Sequence, residues 1–296
     1  MLVEKEINNL NTLIINTLSD NNNQISNDIS DYLSSKSKRI RPTLVFLFAK
    51  ALGIKITDEI NHLACAVELI HNSTLVHDDI LDNADTRRGK ISLNYKLGNS
   101  LSVLAGDILL SIALKELIKC NNVEIIDTFS QAIYIMCKGE INQNFSIGKL
   151  PEMSEYIKKS ENKTAELFKA PLFSFAILYD KEHKENILNF ARNFGIAFQI
   201  KDDLINILKT DPTKPAMSDI DNGIYTAPLI FLNEKHKKIE QLSADEIKTL
   251  VLKDDEIIKK TKDLIKHYVY EAVKSIDYIK DNEYKQEIIR LTEANL

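Results

Sequence analysis

The chain has 296 residues and 44% hydrophobic content, enough to bury one large core or two ordinary ones, which excludes a disordered chain. With 8 glycines, 6 prolines and no tryptophan, long helices are favoured over many short strands, and the expected fold is all-α. A net charge of -5 arises from 38 basic and 43 acidic residues, and the basic ones form no run or stripe, which argues against a nucleic-acid partner.

In chain order, the opening MLVEKEINNL has acidic residues where a signal peptide would be basic and then apolar. Gly53 reads as a helix stop. Leu63, Val67, Ile70, Thr74 and Leu75 then recur at helical spacing and lead into LVHDDILDNADTRRGK, with Asp78, Asp79, Asp82 and Asp85 followed by Arg87, Arg88 and Gly89. Gly98 marks a turn, and Asp107 interrupts the apolar LAGDILLSIAL, so no membrane span is expected. Ile187, Phe190, Phe194, Ala197 and Phe198 repeat the periodic approach to FQIKDDLIN, which carries Asp202, Asp203 and Asn206. A capping box, Ser243 to Glu246, opens a late helix before Ile247. Cys65, Cys120 and Cys137 have neither disulfide-like nor metal-ligand spacing and fit reduced thiols in a cytoplasmic protein. No repeat and no Ser/Gly-rich linker divides the chain, so residues 1–296 are expected to form one domain of about a dozen helices.

Two segments resist a helical reading: Asp85–Ile91, and Lys209–Gly223 with its two prolines. Each follows an aspartate-rich helix end, where a rigid scaffold can aim a loop at a site. Residues i and i+4 of a helix share a face, so Asp78 and Asp82 lie one above the other, with Asp79 beside them and His71 and Leu75 on the same stripe. Like charges so placed destabilise a helix unless something compensates. For a lone cluster a solvated helix face is the simpler explanation. Two clusters, one followed at once by two arginines, suit Mg²⁺, which takes one or two carboxylates, waters and substrate phosphate oxygens. The arginine fork suits the phosphate itself. Core packing accounts for most of Ile70, Leu75, Phe194 and Phe198, and a fraction of them could line a pocket between helices.

Eight motifs in order resemble the trans-isoprenyl diphosphate synthases, or polyprenyl synthetases. They are KRIRP (Lys38 to Pro42), ELIHNSTLVHDDILD with RRG, AGD (Ala105 to Asp107), GEINQ (Gly139 to Gln143), KTAELF (Lys163 to Phe168), FQIKDD (Phe198 to Asp203), TKP (Thr213 to Pro215) and GIYTAP (Gly223 to Pro228). The resemblance implies a helical bundle around a deep central cavity, the isoprenoid synthase fold, usually homodimeric. It implies condensation of isopentenyl diphosphate with an allylic diphosphate through a 1'-4 linkage. On it, Asp78, Asp82 and Asp202 would bind Mg²⁺, with Asp79, Asp203 and Asn206 in support. Arg87, Lys163 and Lys214 would contact the allylic diphosphate, with Thr164 and Gln199 nearby, while Lys38, Arg41, His71 and Arg88 would hold isopentenyl diphosphate. The resemblance supplies no side-chain general base, and His77 reads as structural.

Product length in this family is set by bulky residues just before the first aspartates. Here Ser73 and Thr74, about one and a half turns below Asp78, are small. The chain therefore resembles a medium- or long-chain synthase primed by farnesyl or geranylgeranyl diphosphate, such as one making a quinone side chain, with a floor set deeper by Met136 or Tyr134 unless those two are core. Departures from the family pattern are Asn206 for an aspartate, which lowers the local charge, Ile224 for a lysine, and Ser37 for a glycine. A short-chain geranylgeranyl synthase and a non-catalytic partner subunit remain as alternatives. A terpene cyclase is disfavoured because DDLINILKT lacks that class's second metal motif.

Overall fold

The structure is a computed structural model that describes residues 2–18, 24–35, 37–208, 217–294 and 296. Fifteen α-helices occur among them, and the strands among the described residues form one two-stranded hairpin, so the all-α expectation holds. The chain divides into two compact units. The first runs to Phe129 and includes Pro171–Lys181 and Ile279–Ile288; the second holds Ser130–Ala170, Glu182–Tyr278 and the residues from Ile289 onward. Among the described residues no helix is long and apolar enough to cross a membrane.

In the first unit, α1 (Glu4–Leu18) buries Ile7, Leu10, Ile14 and Leu18 along one stripe and has Glu4 and Glu6 in its first turn, where the helix dipole favours anions. After α2 (Gln24–Leu33), α3 (Ile40–Ala51) is buried all round from Leu44 to Ala49 and places Pro42 in its first turn, where no amide donor is needed. Gly53, at φ 70, closes it as expected. The long α4 (Asp58–Leu81) is capped by Thr57, whose hydroxyl accepts from the Ile60 amide. Its end is a Schellman turn: Asn83 sits at φ 49, the Ala84 amide donates to the Asp79 carbonyl at 2.9 Å and the Asn83 amide to the Ile80 carbonyl at 3.3 Å.

Asp85–Ile91 contains more order than its polarity suggests. Strands β1 (Thr86–Arg87) and β2 (Lys90–Ile91) pair antiparallel, with Arg88 at φ 52 and Gly89 at φ 74 between them. Positive φ at both central residues is the tight turn whose twist matches paired strands. Following α5 (Leu93–Leu97), α6 (Asn99–Ile118) packs along α4. A Cβ on Gly106 would lie 2.2 Å from His77 Nε2, and the Ser73 hydroxyl donates to the Gly106 carbonyl at 2.8 Å, so the AGD glycine sits in the seam between α4 and α6.

Helix α7 (Val123–Phe145) leads into the second unit, where α8 (Met153–Ser160) passes into a π-helical turn, Glu161–Ala165; α9 (Glu166–Tyr179) follows and belongs to the first unit from Pro171 on. Helix α10 (Lys184–Leu208) packs on that turn and on α14 (Asp255–Ser275). Tyr156, Ala165, Ile196, Ile200, Leu204, Ile230, Ile265 and Val269 form the core between them, with α12 (Ala227–His236). Short α11 (Ser218–Asp221) and α13 (Ala244–Leu252) pack together, and α15 (Glu283–Glu293) ends the chain. The capping box is present in both halves, Glu246 amide to Ser243 Oγ at 3.4 Å and Ser243 amide to Glu246 Oε2 at 2.8 Å.

Candidate active site

The first unit gathers its charge around the second half of α4. Glu68, on the apolar stripe of that helix, is 1% exposed and pairs with Arg39 Nη1 at 2.5 Å. Arg39 reaches it from the cap of α3, where φ is 48, and also donates to the Leu33 carbonyl at 2.8 Å. One turn on, Asn72 Nδ2 donates to Glu68 Oε1 at 3.0 Å, and its Oδ1 faces Arg88 Nη1 at 3.4 Å. Burial pulls the Arg41 guanidinium down to about 10, with Glu68 opposing the fall and Arg88 adding to it. The His71 imidazole is held well below its usual range by burial first and then by Arg41, Arg88, Arg39 and Arg87. The charges of four arginines thus favour the neutral form of His71, and Lys38 is exposed nearby in sequence.

At the end of α4, Asp78 is half-buried and Asp82 is exposed as the C-cap, while Asp79 is 1% exposed. Asp79 Oδ1 accepts from Arg87 Nε at 2.6 Å and also pairs with Nη2, but Oδ2 is buried without a partner. Burial raises the pKa of this carboxyl and Arg87 holds it down. Asp78 and Asp82 are the more accessible carboxyls of the cluster, whereas Asp79 is turned into the protein. Among the described residues, no three His, Cys, Asp or Glu side chains converge tightly enough to hold a metal alone. Ser73 is buried against α6, whereas Thr74 is half-buried, its hydroxyl donating to the His71 carbonyl at 2.8 Å. His77 lies over Gly106 and within 3.3 Å of the Val103 carbonyl.

The second unit builds its cluster on α10 and the π-turn. A π-turn widens the helix locally and is frequent at functional sites. Here it carries Lys163 and Thr164, and it sits close to α10 because residue 195 is glycine: a Cβ there would lie 2.4 Å from Ala165 Cα. The Thr164 hydroxyl bonds Gln199 Oε1, Gln199 Nε2 donates to Asp203 Oδ1 at 2.8 Å, and the Tyr156 hydroxyl donates to Asp203 Oδ2 at 2.5 Å. Both Asp203 oxygens are thereby directed inward, and burial, followed by the charge of Asp219, pushes its pKa up to about 7. Asp202, its neighbour, is half-buried. Lys163 pairs with Glu140 Oε2 of the GEINQ segment at 2.8 Å. Asn206 accepts at its backbone carbonyl from the Met217 amide at 3.1 Å. Lys214, with the rest of TKP, lies outside the described residues.

Sequence reading passed over Tyr32, Arg39, Glu68, Asn72, Glu140 and Tyr156. Glu68 left the clearest signal: a lone carboxylate inside the apolar run ACAVELI must find a cation when buried.

The family profile described as Polyprenyl synthetase matches residues 23–267, taking in parts of both units. The chain belongs to the polyprenyl synthetase family. It is a prenyltransferase, as the eight motifs had implied. A decaprenyl-diphosphate synthase of Dictyostelium discoideum is 34% identical over 283 residues, covering 90% of this chain and 61% of that longer protein. Among solved polyprenyl synthetase structures, the heptaprenyl diphosphate synthase of Staphylococcus aureus superposes with a TM-score of 0.93 at 28% identity, over 99% of this chain and 97% of that one. A polyprenyl synthase of Caulobacter crescentus, complexed with calcium and isoprenyl diphosphate, gives 0.89 at 25% identity over 99% and 95%.

Proposed function

We propose that this prenyltransferase adds isopentenyl diphosphate repeatedly to an allylic diphosphate, farnesyl or geranylgeranyl, and makes a medium- or long-chain all-trans polyprenyl diphosphate for a quinone side chain. The observation that carries the reading is the group of four arginines around neutral His71, whose described carboxylate partners are Glu68 and Asp79. Cationic side chains gathered in one place are stabilised by a polyanion, and a diphosphate offers several oxygens to arginine forks. Arg41, Arg88, His71 and Lys38 would hold isopentenyl diphosphate. Arg87, Lys163 and Lys214, with Thr164 and Gln199, would hold the allylic diphosphate.

Asp78, Asp82 and Asp202 would bind Mg²⁺, which when bound supplies positive charge to the departing diphosphate. The cationic side chains add to that stabilisation, so the allylic C–O bond ionises and the double bond of isopentenyl diphosphate attacks the resulting carbocation. The lost proton goes to the departed diphosphate. His71, kept neutral, donates a hydrogen bond without delivering a proton. Ser73 and Thr74 would leave room for a growing chain.

A homodimer is supported by the apolar residues that α6 leaves exposed, Leu101, Val103, Leu104, Leu114 and Ile118. Cys65, Cys120 and Cys137, present as thiols, support placement in the reducing cytoplasm. The test is incubation with Mg²⁺, farnesyl diphosphate and labelled isopentenyl diphosphate, with products sized by mass spectrometry. A ladder ending at one long prenyl diphosphate is expected, and Asp78→Ala or Asp82→Ala should abolish it without unfolding the protein. No incorporation with any primer, or near-normal turnover in either variant, would overturn the assignment.

A further inference from the structure

Tyr32 lies on α2 of the first unit. Tyr32 is 7% exposed and its phenol oxygen is buried with no hydrogen-bond partner. The ring is not free to move away. Its helix, α2, is tied at four points to the elements around the aspartate site: Lys96 Nζ to Asp28 Oδ1 at 2.6 Å, Lys90 Nζ to the Asp31 carbonyl at 3.1 Å, Arg39 Nη2 to the Leu33 carbonyl at 2.8 Å, and Arg88 Nη1 facing Ser35 Oγ at 3.5 Å just beyond the helix. The charged groups that act on the phenol are Asp79 first, then Arg87, Arg88 and Asp78. In the same buried neighbourhood Asp79 Oδ2 is an acceptor without a donor.

An orphaned donor and an orphaned acceptor, both dry and both beside Arg87, are complementary. A buried polar group without a partner is disfavoured, and such groups in native structures commonly mark a function. Resting on the diphosphate reading above, we infer that Tyr32 is a positioning residue that takes over Asp79 when Arg87 turns to the substrate diphosphate. In the ligand-free chain Asp79 is held by Arg87 through Oδ1. Once a phosphate oxygen competes for the guanidinium, Asp79 would become a buried charge with a weakened partner. The Tyr32 hydroxyl then donates to Oδ2, keeping the carboxylate satisfied and the end of α4 in place. Tyr32 touches no substrate atom; it acts through Asp79 and Arg87.

Tyr32→Phe removes the one oxygen and keeps the ring. Calorimetric titration of wild type and variant with inorganic pyrophosphate plus Mg²⁺, alongside thermal melts of the ligand-free proteins, separates the possibilities. The expected result is about tenfold weaker pyrophosphate binding, the size of one hydrogen bond to a charged group. The ligand-free melting temperature should be equal to wild type or higher, because no bond is lost in that state. In turnover, KM for the allylic diphosphate should rise more than KM for isopentenyl diphosphate. Pyrophosphate affinity within twofold of wild type would overturn the inference, as would a lower melting temperature with unchanged affinity, which marks a merely structural hydroxyl. Failure of the wild type itself to bind pyrophosphate would instead remove the diphosphate reading on which the inference stands.

Discussion

Gly195→Ala tests the link between packing and chemistry in the second unit. A Cβ at this position of α10 would stand 2.4 Å from Ala165 Cα, 2.6 Å from its Cβ and 3.2 Å from its backbone nitrogen. Carbon atoms in contact prefer about 3.5–4.0 Å, so the π-turn must retreat by roughly 1 Å, and backbone cannot swing aside as a side-chain tip can. Overpacking of this kind costs about 1–3 kcal/mol, equivalent to a fall in melting temperature of about 2–5 °C. The larger effect should be on turnover. The displaced turn carries Lys163 and Thr164, and Thr164 is bonded to Gln199, itself bonded to Asp203. A shift of about 1 Å in positioning groups can lower rate by about 10²-fold. Gly106→Ala is the control: its Cβ meets the half-buried His77 ring at 2.2 Å, a side chain that can rotate, so the loss should be smaller. Differential scanning fluorimetry and steady-state prenyl transfer measure both quantities. A Gly195→Ala protein with wild-type turnover and a melting temperature within 1 °C would refute the claim that this contact sets the position of Lys163 and Thr164.

Glu68→Gln keeps the shape beside Asn72 but removes the counter-charge of Arg39, and a buried pair broken on one side should cost about 3–5 kcal/mol in denaturant unfolding. Thr74→Phe should shorten the product ladder while the protein stays folded, whereas Ser73→Tyr should lower folded yield because Ser73 is 3% exposed and bonded to Gly106 across the α4–α6 seam. Size analysis of products and circular dichroism distinguish the two. The depressed pKa of His71 gives a sign for acid stability: its unfolded form takes up a proton near pH 6.5 and its folded form only well below that. Its contribution is present above about pH 6.5 and is lost as pH falls from there toward the folded pKa. Chemical unfolding of His71→Gln should show a shallower decline over that window than wild type.

The α-helical character was legible because breakers are few and the apolar spacing is regular, as at Leu63, Val67 and Ile70. Gly53 and Ser243 also acted as they read, since each works through purely local backbone geometry. The hairpin Thr86–Ile91 was not legible: its turn uses Arg88 in a left-handed conformation where asparagine or glycine is the usual signal. Asn83, which ends α4, looked like one more polar residue in a polar stretch. For the candidate site, motif order nominated Asp78, Asp82, Arg87 and Lys163, but the direction each carboxylate faces depends on contacts distant in sequence. Asp79 and Asp203 have the same residue type as their neighbours, yet Arg87, Tyr156 and Gln199 turn them inward. Nothing local to either pair distinguishes them.

Those inward partners resolve how so much charge is carried by a protein before substrate arrives. Arg87 is paired with Asp79 and Lys163 with Glu140, each within its own unit. A cation left alone in a desolvated pocket would be costly, whereas one resting on an internal carboxylate needs only to change partners. On the function proposed above, binding a diphosphate would be an exchange of one ion pair for another, and its net strength would depend on what becomes of the carboxylate left behind. Asp203 is already satisfied by Tyr156 and Gln199 and is not left exposed by any such exchange. Asp79 and Glu140 are the groups that would lose a cation in that exchange. Glu140 keeps the Gln143 amide at 3.2 Å on its other oxygen, while Asp79 Oδ2 has no partner. The unsatisfied oxygen therefore stands where the exchange makes the greatest electrostatic demand, beside the arginine that immediately follows the aspartates in sequence.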